Sequence, residues 1–319
     1  MVPYDEPESV GDLQGLAAGD DAGLTPRDSL ANYRTGAQEE PFPEAFPKKS
    51  GALKAELPES VPLGAPRKWT VLAYISGDNN LEGPEVHSLL QLEKIGSNED
   101  VHVVAQLDRR EIPDDYSQYR LGVDGDWSGA RRYYITKGAQ EPSDVKYHLE
   151  NAEPYAEIQF KVKTIQSPVV QDLGEVDIAD KKTFKDFLTW GMKSFPAEHY
   201  LVVMMDHGYG YMGTMHDVSP GNLMTLPEMR QGLEEAEKET GRKVDILGLD
   251  CCLMGLAETA YELKDAASVV IASQQFEIVP GWPIAQILTN LQTGSKDKAM
   301  PVRDVAKMIV GESAKTPFS

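Results

Sequence analysis

Cysteine is nearly absent from this sequence: 319 residues hold only two, Cys251 and Cys252, side by side. Neighbouring cysteines rarely bond to each other, so no disulfide framework is expected. Two sulfurs alone do not make a structural zinc site. The thiols are therefore inert core groups or reactive ones. Basic charge is scarce as well. The 31 Lys and Arg against 51 Asp and Glu give a formal charge of −20. That argues against nucleic acid, which needs clustered basic side chains, and suits a cationic substrate. No apolar run of about 18 residues occurs, so no transmembrane helix is expected. The start, Met1-Val-Pro-Tyr-Asp-Glu, has neither a basic n-region nor an apolar h-region. No secretory signal is visible there, and a cytoplasmic location is the expectation, with secretion as the alternative. His87, His102, His199 and His216 lack metal-ligand spacing, and no metal site is read from them.

What is present is organised around Val244–Leu263. Val244, Ile246, Leu247 and Leu249 form a short apolar run, the pattern of a buried parallel strand. From Met254 onward Leu256, Ala257, Ala260, Tyr261 and Leu263 recur at helical spacing. The corner between holds Asp250, Cys251 and Cys252. A thiol there lies past the carboxyl end of a strand, where open α/β sheets bind ligands. A helix start beside it would favour the thiolate. Upstream, Tyr200–Met205 is a second apolar strand that delivers Asp206 and His207 to the same edge. Gly208 and Gly210 then turn the chain. A Cys and a His past two strand ends are the parts of an activated sulfur nucleophile.

Residues 1 to about 66 are rich in Pro, Gly, Ala, Asp and Glu and lack periodicity. They read as a disordered acidic arm, or as a pro-segment covering a site. A short helix near 28–33 fits within it. The domain spans 67–319. Trp69–Ser76 and Val101–Leu107 read as strands about a helix bearing Leu81, Val86, Leu89, Leu90, Leu92 and Ile95, the βα rhythm of a parallel sheet. Residues 111–175 break that rhythm. Ala130–Thr136 and Glu157–Lys163 read there as short exposed strands of an insertion or hairpin. Helices are expected over 177–194, from the capping box Thr225-Leu-Pro-Glu228 to about Thr240, and over 284–292 and 302–312. Tyr209–Met224 is read as a long loop. Ser268–Ser273 is a last strand, ending in Gln274, Gln275, Phe276 and Glu277. Gln274 and Glu277 are candidates to line a specificity pocket. Asp78 and Asp108, acids at strand ends, read as helix caps or surface ion-pair partners before calcium ligands.

Several stretches resemble the clostripain family of cysteine peptidases. They are Asp206-His-Gly208, Leu249-Asp-Cys-Cys-Leu-Met-Gly255, Trp69–Tyr74 with Gly77-Asp-Asn-Asn-Leu81, Val103–Arg109, Arg131–Ile135 and Gly281-Trp-Pro283. The resemblance covers about residues 69–310. It implies a caspase-like α/β fold, a mostly parallel sheet flanked by helices. It also implies an endopeptidase cutting protein or peptide substrates after Arg, or Lys, as a monomer. By the same resemblance Cys252 is the nucleophile and His207 its dyad partner. The amides of Gly208 and Cys252 form the oxyanion hole, and Asp250 reads the basic side chain. No organic cofactor is implied, whereas calcium is. Self-cleavage near the dyad is not expected, because no Lys or Arg occurs between His207 and Arg230. The alternative is a catalytically silent caspase-like binding module.

Overall fold

A computed structural model describes residues 61–150 and 153–315. The helix expected near 28–33 and most of the arm lie outside them. Ala65, at the arm's end, does have a partner: its carbonyl is 2.7 Å from Nε2 of His102.

Seven strands form the central sheet. Along the chain they are β1 (Arg67–Gly77), β2 (Val101–Arg109), β3 (Gly129–Tyr134), β6 (Val169–Gly174), β7 (Ala197–Met205), β10 (Val244–Asp250) and β11 (Ala267–Ala272). In space the order is β11-β10-β7-β1-β2-β3-β6. The five from β11 to β2 are parallel, and β3 and β6 extend them antiparallel. The parallel strands are apolar on both faces, as burial on both sides requires. Val71, Ala73 and Ile75 of β1 enter one core while Leu72 and Tyr74 enter the other.

From β1 the chain steps outward to β2. From β7 it steps the opposite way, to β10 and β11. Right-handed crossovers in opposite directions put helices on opposite faces. Helix α1 (Glu82–Ile95), with α5 (Ile284–Gly294) and α6 (Val302–Ser313), covers one face through Val86, Leu89, Ile287, Leu291 and Ile309. Helices α2 (Lys181–Ser194), α3 (Leu226–Thr240) and α4 (Ala257–Leu263) cover the other through Phe184, Phe187, Met229, Leu233 and Leu263. The reversal between β1 and β7 opens a crevice at the strands' carboxyl ends, the usual ligand site of such sheets.

Several expectations change in the 111–175 region and the loop beyond β7. β3 is no exposed strand: Tyr133 and Tyr134 are buried, and it pairs with β2 in the main sheet. Its charged look comes from Arg131 and Arg132. Arg132 is buried, donating from Nε to Oε1 of Gln106 at 2.8 Å, with its guanidinium over Trp190. A hairpin is present, but its strands are β4 (Ser143–Glu150), in the stretch between the two expected strands, and β5 (Glu153–Phe160), which overlaps only the start of the second; they form a separate two-stranded sheet. The expected loop 209–224 holds a small hairpin, β8 (Thr214–Asp217) with β9 (Asn222–Met224). The capping box at Thr225 and Glu228 is formed as expected, and α3 ends on left-handed Gly241.

Candidate active site

Three strand ends meet at the crevice. β1 delivers Asn79 and Asn80, β7 delivers Asp206 and His207, and β10 delivers Asp250, Cys251 and Cys252. Backbone contact brings the His and Cys segments together. A Cβ on Gly208 would lie 2.0 Å from the Cys252 carbonyl oxygen and 2.9 Å from its nitrogen. Only glycine permits that approach.

His207 is half-buried, and its Nε2 lies 2.7 Å from Oδ1 of Asn80. An amide oxygen only accepts, so Nε2 carries the proton and Nδ1 of the neutral ring is bare. Burial, helped by the neighbouring charge of His216, lowers the His207 pKa to about 4. The ring is neutral at physiological pH. Asp206 sits beneath it, buried, accepting from Nδ2 of Asn79 at 2.8 Å and from the backbone N–H of His216. Burial raises its pKa, and those hydrogen bonds, with one from the His207 N–H, oppose the rise.

Cys252 is also half-buried. The N–H of Glu277 donates to its Sγ at 3.3 Å. Its thiol pKa is raised, first by burial, then by the charges of Glu277 and Asp250; the Glu277 N–H pulls the other way. The helix expected to favour a thiolate does not reach it. α4 begins at Ala257 and has seven residues, and a helix end acts only within its first turn. The corner is instead an irregular turn through Leu253 at φ 61°, pinned to the chain after β11 by Leu253 N–H donating to Gln275 O at 3.0 Å. Cys251 faces the core, 1% exposed, accepting from Oγ1 of Thr214 at 3.2 Å. Its pKa stands well above the ordinary value because of burial.

Glu277, whose N–H reaches the thiol, also lines a pocket of about 390 Å³ with Gln275, Phe276, Gly281 and Trp282; Cys252 and Asp250 are not in its wall. Oε1 of Glu277 accepts from Nε1 of Trp282 at 3.0 Å. Oδ2 of Asp250 accepts from the Trp282 N–H at 2.9 Å. The two carboxyl groups are hydrogen-bonded to each other. Burial, then the Asp250 charge, pushes Glu277 up to about 10. The pair therefore shares one proton at neutral pH. Gly281, at φ 90°, lies against it: a Cβ there would come within 2.7 Å of Oδ2 of Asp250. Gln274 is exposed and outside this pocket, whose lining takes Gln275 instead.

Sequence reading missed Asn80 and Glu85. Asn80 precedes the helix and looks like a cap, yet it holds His207. Glu85 sits in the first turn of α1, where acids are ordinary. It is 6% exposed, and the charges of Asp250 and Asp206 act on it. Neither carries a local signal of its role.

A mostly parallel sheet flanked by helices, with a Cys and a His on adjacent strand ends, defines an α/β protein of caspase-like layout. The comparisons agree on the fold. A secreted C11 cysteine protease from Bacteroides thetaiotaomicron, solved with an irreversible peptide inhibitor, superposes with a TM-score of 0.52 at 18% identity, over 77% of this chain and 58% of that one. A second secreted C11 protease structure from that organism, iotapain, gives 0.50 at 15% identity, over 71% and 57%. Residues 73–319 match the model of the clostripain family, and the chain belongs to that family. Clostripain of Hathewaya histolytica is 23% identical over 250 residues, 72% of this chain but 43% of that protein. The chain thus spans less than two thirds of the relatives it matches. Among the described residues no helix is long and apolar enough to cross a membrane.

Proposed function

We propose that this chain is a cysteine endopeptidase that cleaves after Arg, and after Lys, using Cys252 and His207. The observation that carries the reading is the seating of Gly208 on the backbone of Cys252, which sets the His207 and Cys252 segments side by side. In this scheme substrate binding brings the Cys252 thiol to the scissile carbonyl. Its proton passes to the bare Nδ1 of His207, and Sγ bonds to the carbonyl carbon. The Gly208 and Cys252 amides hold the oxyanion. The imidazolium gives its proton to the departing amine, and water then hydrolyses the thioester. Asn80 keeps the ring in the tautomer that leaves Nδ1 bare. Cys and His start as a neutral pair, since burial raises one pKa and lowers the other.

The Asp250–Glu277 pair supports a basic specificity. A guanidinium entering the pocket meets the Glu277 carboxyl group in its wall, with Asp250 behind it, displaces their shared proton and pairs with the carboxylates. Asp250, Glu277 and the wall formed by Trp282 then read the side chain. Gln274 joins only if the loop after β11 turns inward on binding. No organic cofactor enters the scheme. Protein or peptide substrates follow from the chemistry, with the chain acting as a monomer. The Bacteroides protease is described as secreted, which speaks for export over the cytoplasmic placement read from the N-terminus.

The test is turnover of paired peptide substrates ending in Arg, Lys or Asp. Turnover after Arg is expected, and Cys252→Ala should lower it by at least about 10³-fold with an unchanged circular dichroism spectrum. Full activity in that variant refutes the assignment. A folded protein that turns over nothing and whose Cys252 resists alkylation would instead be a silent binding module.

A further inference from the structure

The turn after His207 carries an aromatic side chain that the chemistry above leaves unused. Tyr211 sits on a single 3₁₀ turn, Gly210–Met212, and is 68% exposed. Among the described residues its ring stacks on no other and its hydroxyl has no hydrogen-bond partner. Scattered surface aromatics are ordinary, and Tyr261, 70% exposed, is already covered by the Lys264 ammonium 4.0 Å from its ring centre. Tyr211 differs in how firmly it is held and in what it stands beside. Tyr209 N–H donates to Gly213 O at 2.9 Å, and Gly213 N–H to Gly210 O at 3.2 Å. Thr214 clamps the base, bridging to the Gly208 backbone and donating from Oγ1 to the His207 carbonyl. A rigidly presented tyrosine offers wide contact at little entropic cost.

The turn stands at the dyad. Gly208 rests on the Cys252 backbone, and Tyr211 follows three residues later, so its Cα lies within about 11 Å of that of Gly208. A Cβ on Gly210 would meet Cδ1 of Leu256 at 3.1 Å and the Leu253 carbonyl at 3.7 Å. The turn therefore lies over the corner that follows Cys252, where Leu253 and Leu256 are half-buried. Met212, also half-buried, flanks Tyr211 in the chain. Residues 209–214 carry no charge, although the chain as a whole stands at −20. Such a surface suits an apolar or aromatic ligand rather than a cation.

Substrate direction decides what that surface meets. In the sheet β10, which carries Cys252, lies between β7, which carries His207, and β11, which leads to Glu277. In the proposed reaction the basic side chain before the scissile bond goes to Glu277, on the β11 side. The leaving amine takes its proton from His207, on the β7 side. The residue after the bond therefore passes over the imidazole towards the turn at 210–212. We propose that Tyr211, with Met212 and Leu256, forms a subsite for an apolar or aromatic side chain on the substrate residue just after the scissile bond. This inference rests on the peptidase reading and deepens it. A peptide is selected by a cation on one side of Cys252 and by an apolar group on the other.

The experiment uses the full chain as Cys252→Ala, in which bound peptides stay intact. Calorimetry compares two peptides that are identical except that Phe or Ser follows the Arg. The Arg-Phe peptide should bind about 10-fold more tightly, and Tyr211→Ala in the same background should bring the two affinities within about twofold. Tyr211→Trp should keep the preference. Equal affinities in the Cys252→Ala parent overturn the proposal, as does failure of either peptide to bind. So does a preference that survives undiminished in Tyr211→Ala. Turnover of the same peptides by the chain with Cys252 intact tests the peptidase reading separately. A chain that binds both peptides and cleaves neither loses that reading, while the ratio of affinities still decides the subsite.

Discussion

At the residue scale the site depends on two displaced protonation equilibria. His207 is pushed down to about 4 and Glu277 up to about 10, burial being the first cause of each. A carboxyl group raised by folding holds a proton that a cationic side chain must expel. Affinity for Arg substrates should therefore rise with pH across the neutral range, with roughly one proton released on binding. Calorimetry of an arginine-based inhibitor in buffers of different ionisation enthalpy measures that proton directly. Glu277→Gln should abolish the release and lower kcat/KM for Arg substrates by roughly 100-fold. The stability linkage runs the opposite way: a raised carboxyl pKa contributes fully below about 4.5, and that contribution is lost as pH rises towards 10. Proton release that persists in the variant would place the displaced proton elsewhere.

At the scale of elements the decisive feature is a corner rather than a helix. β10 was legible as a strand because an apolar run between polar residues marks burial. The start of α4 was not, since Met254 and Leu256 repeat at helical spacing yet serve the turn before Ala257. The turn is fixed by partners distant in sequence: Gln275 holds Leu253, and Ser273 accepts from Gly255 N–H at 2.6 Å. Gly208 seals it from the other side. Gly208→Ala places a methyl about where the Cys252 carbonyl oxygen already lies. The expected result is loss of peptide turnover by at least about 10²-fold, with overall helix and strand content kept. Circular dichroism beside a turnover assay separates that outcome from global unfolding. Wild-type turnover in Gly208→Ala would show that the two segments separate in the working enzyme.

At the scale of the whole molecule, an acidic chain brings carboxylates together at the carboxyl edge of its sheet and meets them with few cations. Arg109 is one of those cations. It is 1% exposed, bonded to Glu82 and to the Val123 carbonyl, and stacked at 5.1 Å on Trp127. Arg109→Met leaves buried Glu82 with only the looser Arg110 pair at 3.5 Å, and should remove about 3 kcal/mol of stability, measured by urea unfolding. A loss under about 1 kcal/mol would mean that Glu82 is protonated in the fold, the direction in which burial already pushes it. The sequence by itself determined the parallel sheet, its helices and the strand ends bearing His207 and Cys252. Those features are written in local periodicity and in backbone signals such as Gly241 and the Thr225 capping box. It did not determine that Arg132 and Asp108 are buried, that Asn80 serves His207, that Glu277 shares a proton with Asp250, or that Asp78, Glu175 and Asp217 converge beside β1. Such pairings join residues 26 to 139 positions apart. Only the closure of the sheet brings them together, because charge and polarity mark a residue as hydrophilic without saying which distant partner will satisfy it.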